Sequence, residues 1–142
     1  MYHLNQAVRT EGYDHAHVAS GDTDILICLM YHHLKRQKFS LQELWMHHNG
    51  LATPLHECVE RLPEDVVRTL PAVHALSGCD TTSKVGTKLQ AFNGANKEEH
   101  AILADFEVKA LDNDMFESAE RFLVDCMSRS TNRSFDTFDD LR

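Results

Sequence analysis

Three aspartates have the residue type and setting for chemistry. Asp22 and Asp24 lie two apart in Ser20-Gly21-Asp22-Thr23-Asp24-Ile25-Leu26, and Asp80 closes Ser77-Gly78-Cys79-Asp80 after an apolar run. At a strand end or in a tight turn, carboxylates at this spacing can face one small volume, and Gly78 permits a sharp exit from a helix ahead of Asp80. Three carboxylates drawn together repel one another unless a cation neutralises them. A hard ion that prefers oxygen ligands, Mg²⁺ or Mn²⁺, is the matching cation. Such an ion generates hydroxide near neutral pH and stabilises the attacking and leaving oxygens of phosphoryl chemistry. A structural role competes with this. Asp22 suits the N-cap of a helix beginning at Thr23 and Asp24 its first turn, together contributing about 1–2 kcal/mol. Asp80 is equally suited to cap a helix beginning near Thr81. On spacing alone the capping role is favoured.

The elements around these residues follow from apolar periodicity. Residues 1–11 predict a helix stopped by Gly12, and residues 14–19 a strand whose Ala16 and Val18 alternate with His15 and His17. Ile25, Leu26, Leu29, Met30 and His33 or Leu34 predict a helix from Thr23 to about Lys35. Lys35-Arg36-Gln37-Lys38 reads as a solvated connection. Leu41 to His47 predicts a short strand closed by Asn49-Gly50, and Thr53-Pro54 predicts the start of a helix with Leu55, Cys58, Val59 and Leu62 on one face. Pro63-Glu64-Asp65 restarts a helix that Pro71 is expected to kink or divide and Gly78 to end. A further helical stretch is expected over Thr81–Phe92, then a turn at Asn93-Gly94-Ala95-Asn96. After Lys97 two helices are expected, one with apolar positions from Ala101 to Leu111 and one from Phe116 to Met127. Residues 128–134 read as a mobile connection, followed by a tail whose aromatic residues should pack.

The 142 residues suit one domain, and the formal charge of −8 disfavours non-specific attraction to nucleic acid through net charge. Residues 101–142 carry ten Asp and Glu against five Lys and Arg, so the acidity is concentrated there. Cys28, Cys58, Cys79 and Cys126 lack the close pairs of a zinc ribbon or redox motif and are expected as buried free thiols. No signal peptide and no apolar run long enough to span a bilayer is visible, which predicts an intracellular protein without a membrane partner; nucleus and cytoplasm are not distinguished.

Other clusters carry less. Cys28 and His32 share a helix face at a spacing suited to zinc, but no second ligand pair accompanies them. His32-His33 and His47-His48 are expected as surface or partly buried side chains. His74, Cys79 and Asp80 evoke a Cys/His nucleophile, yet nothing supplies an oxyanion hole. Trp45 has no aromatic beside it in sequence and is expected in the core.

The pairing of Ser20-Gly21-Asp22-Thr23-Asp24-Ile25-Leu26 with Leu70-Pro71-Ala72-Val73-His74-Ala75-Leu76-Ser77-Gly78-Cys79-Asp80-Thr81-Thr82-Ser83 resembles a group of transposon-associated animal proteins. That group is in turn similar to the PIN-like superfamily of the flap endonuclease and XPG type. The resemblance implies an α/β fold, a partial PIN-like three-layer α/β/α sandwich with a short parallel sheet and a helical C-terminal half. Residues 1–96 would form the nuclease-type core, 97–128 the C-terminal helices and 129–142 a tail. It further implies that Asp22, Asp24 and Asp80 are catalytic Mg²⁺ or Mn²⁺ ligands for phosphodiester hydrolysis. Thr82, Ser83, Lys84 and Lys88 would then contact the phosphates of DNA or RNA. The resembled nucleases hold further acids in an earlier strand and in the helix before the Asp-x-Asp strand, so the chain is expected to be N-terminally incomplete. The alternative is a non-catalytic transposon-derived remnant that binds nucleic acid or protein.

Overall fold

A strand of five residues, β1 (His15–Ala19), runs into helix α2 (Thr23–Lys35), which returns the chain to β2 (Glu43–His48) lying parallel to β1. The computed structural model describes residues 2–35, 41–78, 97–106 and 112–141. The register sets His15 beside Glu43, His17 beside Trp45 and Ala19 beside His47. Asn49 and Gly50, at φ of +48° and +76°, then turn the chain into β3 (Leu51–Pro54), antiparallel to β2. Two consecutive left-handed residues give the turn twist that tight hairpins favour, and Asn-Gly is the pair that adopts it most readily. The described sheet is therefore mixed, with order β1-β2-β3, in an α/β chain.

Ahead of β1, helix α1 (Tyr2–Glu11) stops at Gly12, whose φ of +72° suits glycine. Thr53 does not cap a helix as its sequence suggests. It pairs with Met46 in β3, and Pro54 ends the strand at the sheet edge, so the next helix, α3 (Leu55–Arg61), begins one residue later. The Asn-Gly hairpin claims Leu51–Thr53 for the ladder, a non-local pairing that local capping signals do not report.

Alternation fixes which face is covered. Leu44 and Met46 of β2 are buried, whereas His15 and His17 of β1 are exposed and Glu43, Trp45 and His47 half-buried. α3 packs on β2, and α2 packs on α3. Leu55 and Val59 of α3 and Ile27, Leu29, Met30, Tyr31 and His33 of α2 are buried. Trp45 therefore lies on the outer face of the sheet rather than in the core, because it alternates with Leu44 and Met46.

Helix α4 (Glu64–Ser77) runs through Pro71 without a break and ends at Gly78, at φ of +97°. Pro71 supplies no N–H to the Val67 carbonyl, but the helix continues to either side of that one lost bond. The chain divides into two compact units, residues 1–68 and 69–142. In the second, Val73, Leu103, Phe122 and Cys126 form a buried cluster flanked by Ala72, Leu76, Phe106 and Leu123. Its helices are α5 (Lys97–Ala104) and α6 (Asn113–Thr131), which pack on each other.

α5 ends before the expected Leu111, with Asp105 and Phe106 in a turn, and residues 107–111 lie outside the described residues. α6 continues to Thr131, four residues into the stretch expected to be a mobile connection. Asp112 caps it by accepting from the Met115 N–H at 2.9 Å, and Asn132, left-handed at φ of +54°, closes it by donating to the Ser128 carbonyl. The Ser/Thr/Arg composition reads as loop, but Val124, Cys126 and that C-cap hold the last turns. A 3₁₀ turn, Phe138–Leu141, packs against α6 and is tied by the Asp140 carboxylate, which accepts from Thr137 N–H and Oγ1, each at 2.9 Å. No described helix is long and apolar enough to cross a membrane.

Candidate functional site at the end of the parallel strands

The carboxyl end of β1 opens onto the acidic turn, and the turn's geometry is set by short hydrogen bonds. Ser20 N–H donates to the His47 carbonyl at 3.0 Å, extending the parallel pairing one residue past β1. Ser20 Oγ accepts from Asp22 N–H at 3.1 Å. Asp22 Oδ1 accepts from Asp24 N–H at 2.8 Å, while the Asp22 carbonyl accepts from Leu26 N–H at 3.1 Å. Asp22 is thus the N-cap of α2, with Asp24 in the first turn where the helix dipole favours a negative charge. The capping role expected from spacing is present.

Gly21 lies against an exposed, movable side chain. A Cβ at this position would overlap the ring of His48, which lies at the carboxyl end of β2. The hairpin and the acidic turn therefore enclose a cleft of about 240 Å³, with Leu26, Met46 and Leu51 supplying apolar walls and Asp22, Thr23, His48 and Thr53 polar ones. A concave site at the carboxyl ends of parallel strands is where open α/β sheets commonly bind ligands.

Asp22 and Asp24 are both exposed in this one turn. Asp80, Thr82, Ser83, Lys84 and Lys88 lie outside the described residues. The donor chemistry of the turn suits a hard cation in part: Asp22 has one carboxylate oxygen committed to the cap, and Asp24 adds a second carboxylate to the same turn. Two carboxylates plus water match how Mg²⁺ is usually held. Among the described residues no group of three or more His, Cys, Asp or Glu side chains is arranged to hold a metal ion.

The outer sheet face carries a second polar cluster. His17 Nδ1 lies 2.7 Å from His47 Nε2, and the His17 ring stacks on Trp45 with centroids 6.2 Å apart and planes 5° from parallel. Trp45 Nε1–H donates to Glu43 Oε2 at 2.9 Å, and His56 meets Trp45 edge-on. His15 is held by Asp14 at 2.6 Å and by Glu43 at 3.4 Å. The Asp14 hydrogen bond raises the His15 pKa, and the same bond lowers that of Asp14. Glu43 is lowered chiefly by the Trp45 hydrogen bond and further by the charge of His15. His56 Nδ1 lies 3.1 Å from the Leu44 carbonyl and 3.3 Å from its N–H, meeting backbone groups that β3, ending opposite Trp45, does not reach.

Neither His48 nor this cluster was singled out as a site by the sequence. The signal was there as His15/His17 and Trp45/His47 at the alternating positions of two strands, but reading it requires knowing that the strands pair in parallel and in which register. Cys28 is exposed rather than buried, Cys58 is half-buried and Cys126 buried, all as free thiols. Cys28 falls on the outer stripe of α2, between buried Ile27 and Leu29. Comparison of the chain with protein-family models, with curated proteins and with solved structures finds no match.

Proposed function

We propose that this chain is a metal-dependent nuclease-like domain of the PIN and flap endonuclease type, of transposon origin and intracellular, acting on phosphodiester bonds of DNA or RNA. The observation that supports the reading is the position of Asp22-Thr23-Asp24: two carboxylates on one turn at the carboxyl end of a parallel strand, with Asp22 and Thr23 lining a cleft. Asp22 and Asp24 would hold Mg²⁺ or Mn²⁺, with Asp80 as the third ligand. Such an ion, when bound, activates water and neutralises charge on the phosphate. The chain's own contribution is positioning. Ser20 and the α2 cap fix the carboxylates, His48 closes one side of the cleft, and Leu26 and Met46 limit water on the other. Thr82, Ser83, Lys84 and Lys88 are assigned to substrate phosphates, which hydroxyls and ammonium groups suit.

A second reading, a non-catalytic remnant that binds nucleic acid or protein, is favoured by the commitment of Asp22 Oδ1 to the helix cap, which the fold uses with or without a metal. Cleavage of flap and single-stranded DNA in Mn²⁺ separates the two. The nuclease reading expects metal-dependent cleavage that falls by about 10²-fold or more in Asp24→Asn, as for loss of a charge-stabilising group. Cleavage that survives this substitution contradicts the role of Asp24. Binding of the same DNA without cleavage supports the remnant.

A further inference from the structure

We propose that His17 and His47 form a two-imidazole site for a divalent transition-metal ion of the copper or nickel class on the outer face of the sheet. Their facing nitrogens are 2.7 Å apart, on neighbouring parallel strands whose register holds them there. Two nitrogens bound to one ion at right angles, with bonds of ~2.0–2.1 Å, stand about 2.9 Å apart, against about 3.3 Å in a tetrahedron. With the ring centroids 5.0 Å apart the two nitrogens point at each other, so each exposed ring turns by about 45° to bring its lone pair onto a shared ion at the right-angle separation, and tetragonal nitrogen coordination is typical of Cu²⁺ and Ni²⁺.

Without metal the same geometry is an N–H···N hydrogen bond. When the ion enters, the donating ring moves its proton to its other nitrogen, both facing nitrogens present lone pairs, and no net proton is lost. His17 is exposed and His47 half-buried, so an ion reaches them from solvent, and water completes its coordination. His15, Asp14 and Glu43 are tied to one another beside the pair, and Trp45 Nε1–H is engaged by Glu43, so the two imidazoles are the protein ligands.

The chain holds a single tryptophan, Trp45, and it stacks on His17. Quenching of its fluorescence by Cu²⁺ or Ni²⁺ therefore reports an ion bound near Trp45, the His17 and His47 variants assign it to this pair, and circular dichroism confirms that each variant is folded. The titration is made on a His3→Ala background, so that the imidazole nearest the N-terminus does not compete. One saturable quench is expected, weakened at least tenfold by His17→Ala, by His47→Ala and by His47→Gln, which keeps a hydrogen-bonding group but not the imidazole. It is expected unchanged in His32→Ala. Calorimetry on the same variants should give the same order of affinities. Affinity in the His17 and His47 variants equal to that of the parent, or no quench in the parent, overturns the proposal.

Discussion

Asp22 serves two ends that a pair of substitutions separates. Its side chain accepts the Asp24 N–H, so Asp22→Ala should lower stability by about 1 kcal/mol in urea unfolding, the usual cost of a lost N-cap. Asp22→Asn keeps a good capping oxygen and should stay within a few tenths of wild type while losing the charge that a metal needs. A second residue, His33, links burial to pH. It is 6% exposed with Nδ1 buried and unpartnered, and burial lowers its pKa below the ordinary 6.5, assisted by the charge of His56 and opposed by Glu60. The unfolded chain then takes up a proton at His33 before the folded one does. Stability should fall as pH drops below 6.5, the loss being complete once His33 is protonated in the fold too, and His33→Leu should flatten this part of the pH profile. Chemical denaturation at a series of pH values measures it. The acidic pair was legible at this scale because local residues make the cap. The burial of His33 was only half legible, since its helical spacing marked it as a face position without saying that α3 would cover that face.

At the scale of elements, periodicity and punctuation located most of what the structure contains. α1, β1, α2 and β2 lie within two residues of their expected bounds, because Gly12, the β1 alternation and the Ile25–Leu34 stripe are each local signals. β3 was missed. Its four residues become a strand through the Asn49-Gly50 turn and the ladder to β2, and Thr53-Pro54 carries a competing helix-start signal. The hairpin matters to the site because it carries His48 against Gly21 and sets Leu51 and Thr53 in the cleft wall. Gly50→Ala places a Cβ at φ of +76° and should cost about 1–2 kcal/mol in thermal or urea unfolding. A cost near zero would mean that the turn relaxes to another type, and the His48 contact with it. The end of α6 failed for the opposite reason: Ser128–Ser134 looks like loop by composition, and it is the apolar positions before it and the Asn132 cap that extend the helix.

Taken whole, the chain is an α/β unit joined in sequence to a helical one, and the features of function proposed for it are unequally distributed between them. The acidic turn, the cleft, His48 and the His17–His47 pair all belong to residues 1–68, where the charge is mild. The acidity concentrates after residue 100, away in sequence from the residues assigned to phosphate. The α/β class was legible because strand and helix periods alternate early and only the helical period persists late. The parallel register was not, since nothing within β1 or β2 names its partner. Binding of Mn²⁺ followed by paramagnetic broadening of backbone amide signals bears on the central claim, that the Asp22-Thr23-Asp24 turn is a metal-binding turn. The amides of residues 21–24 and of His48 should broaden first at low Mn²⁺, and Asp24→Asn should abolish the effect there. If those amides stay sharp while signals elsewhere broaden, the turn is a helix cap alone and the nuclease reading falls with it.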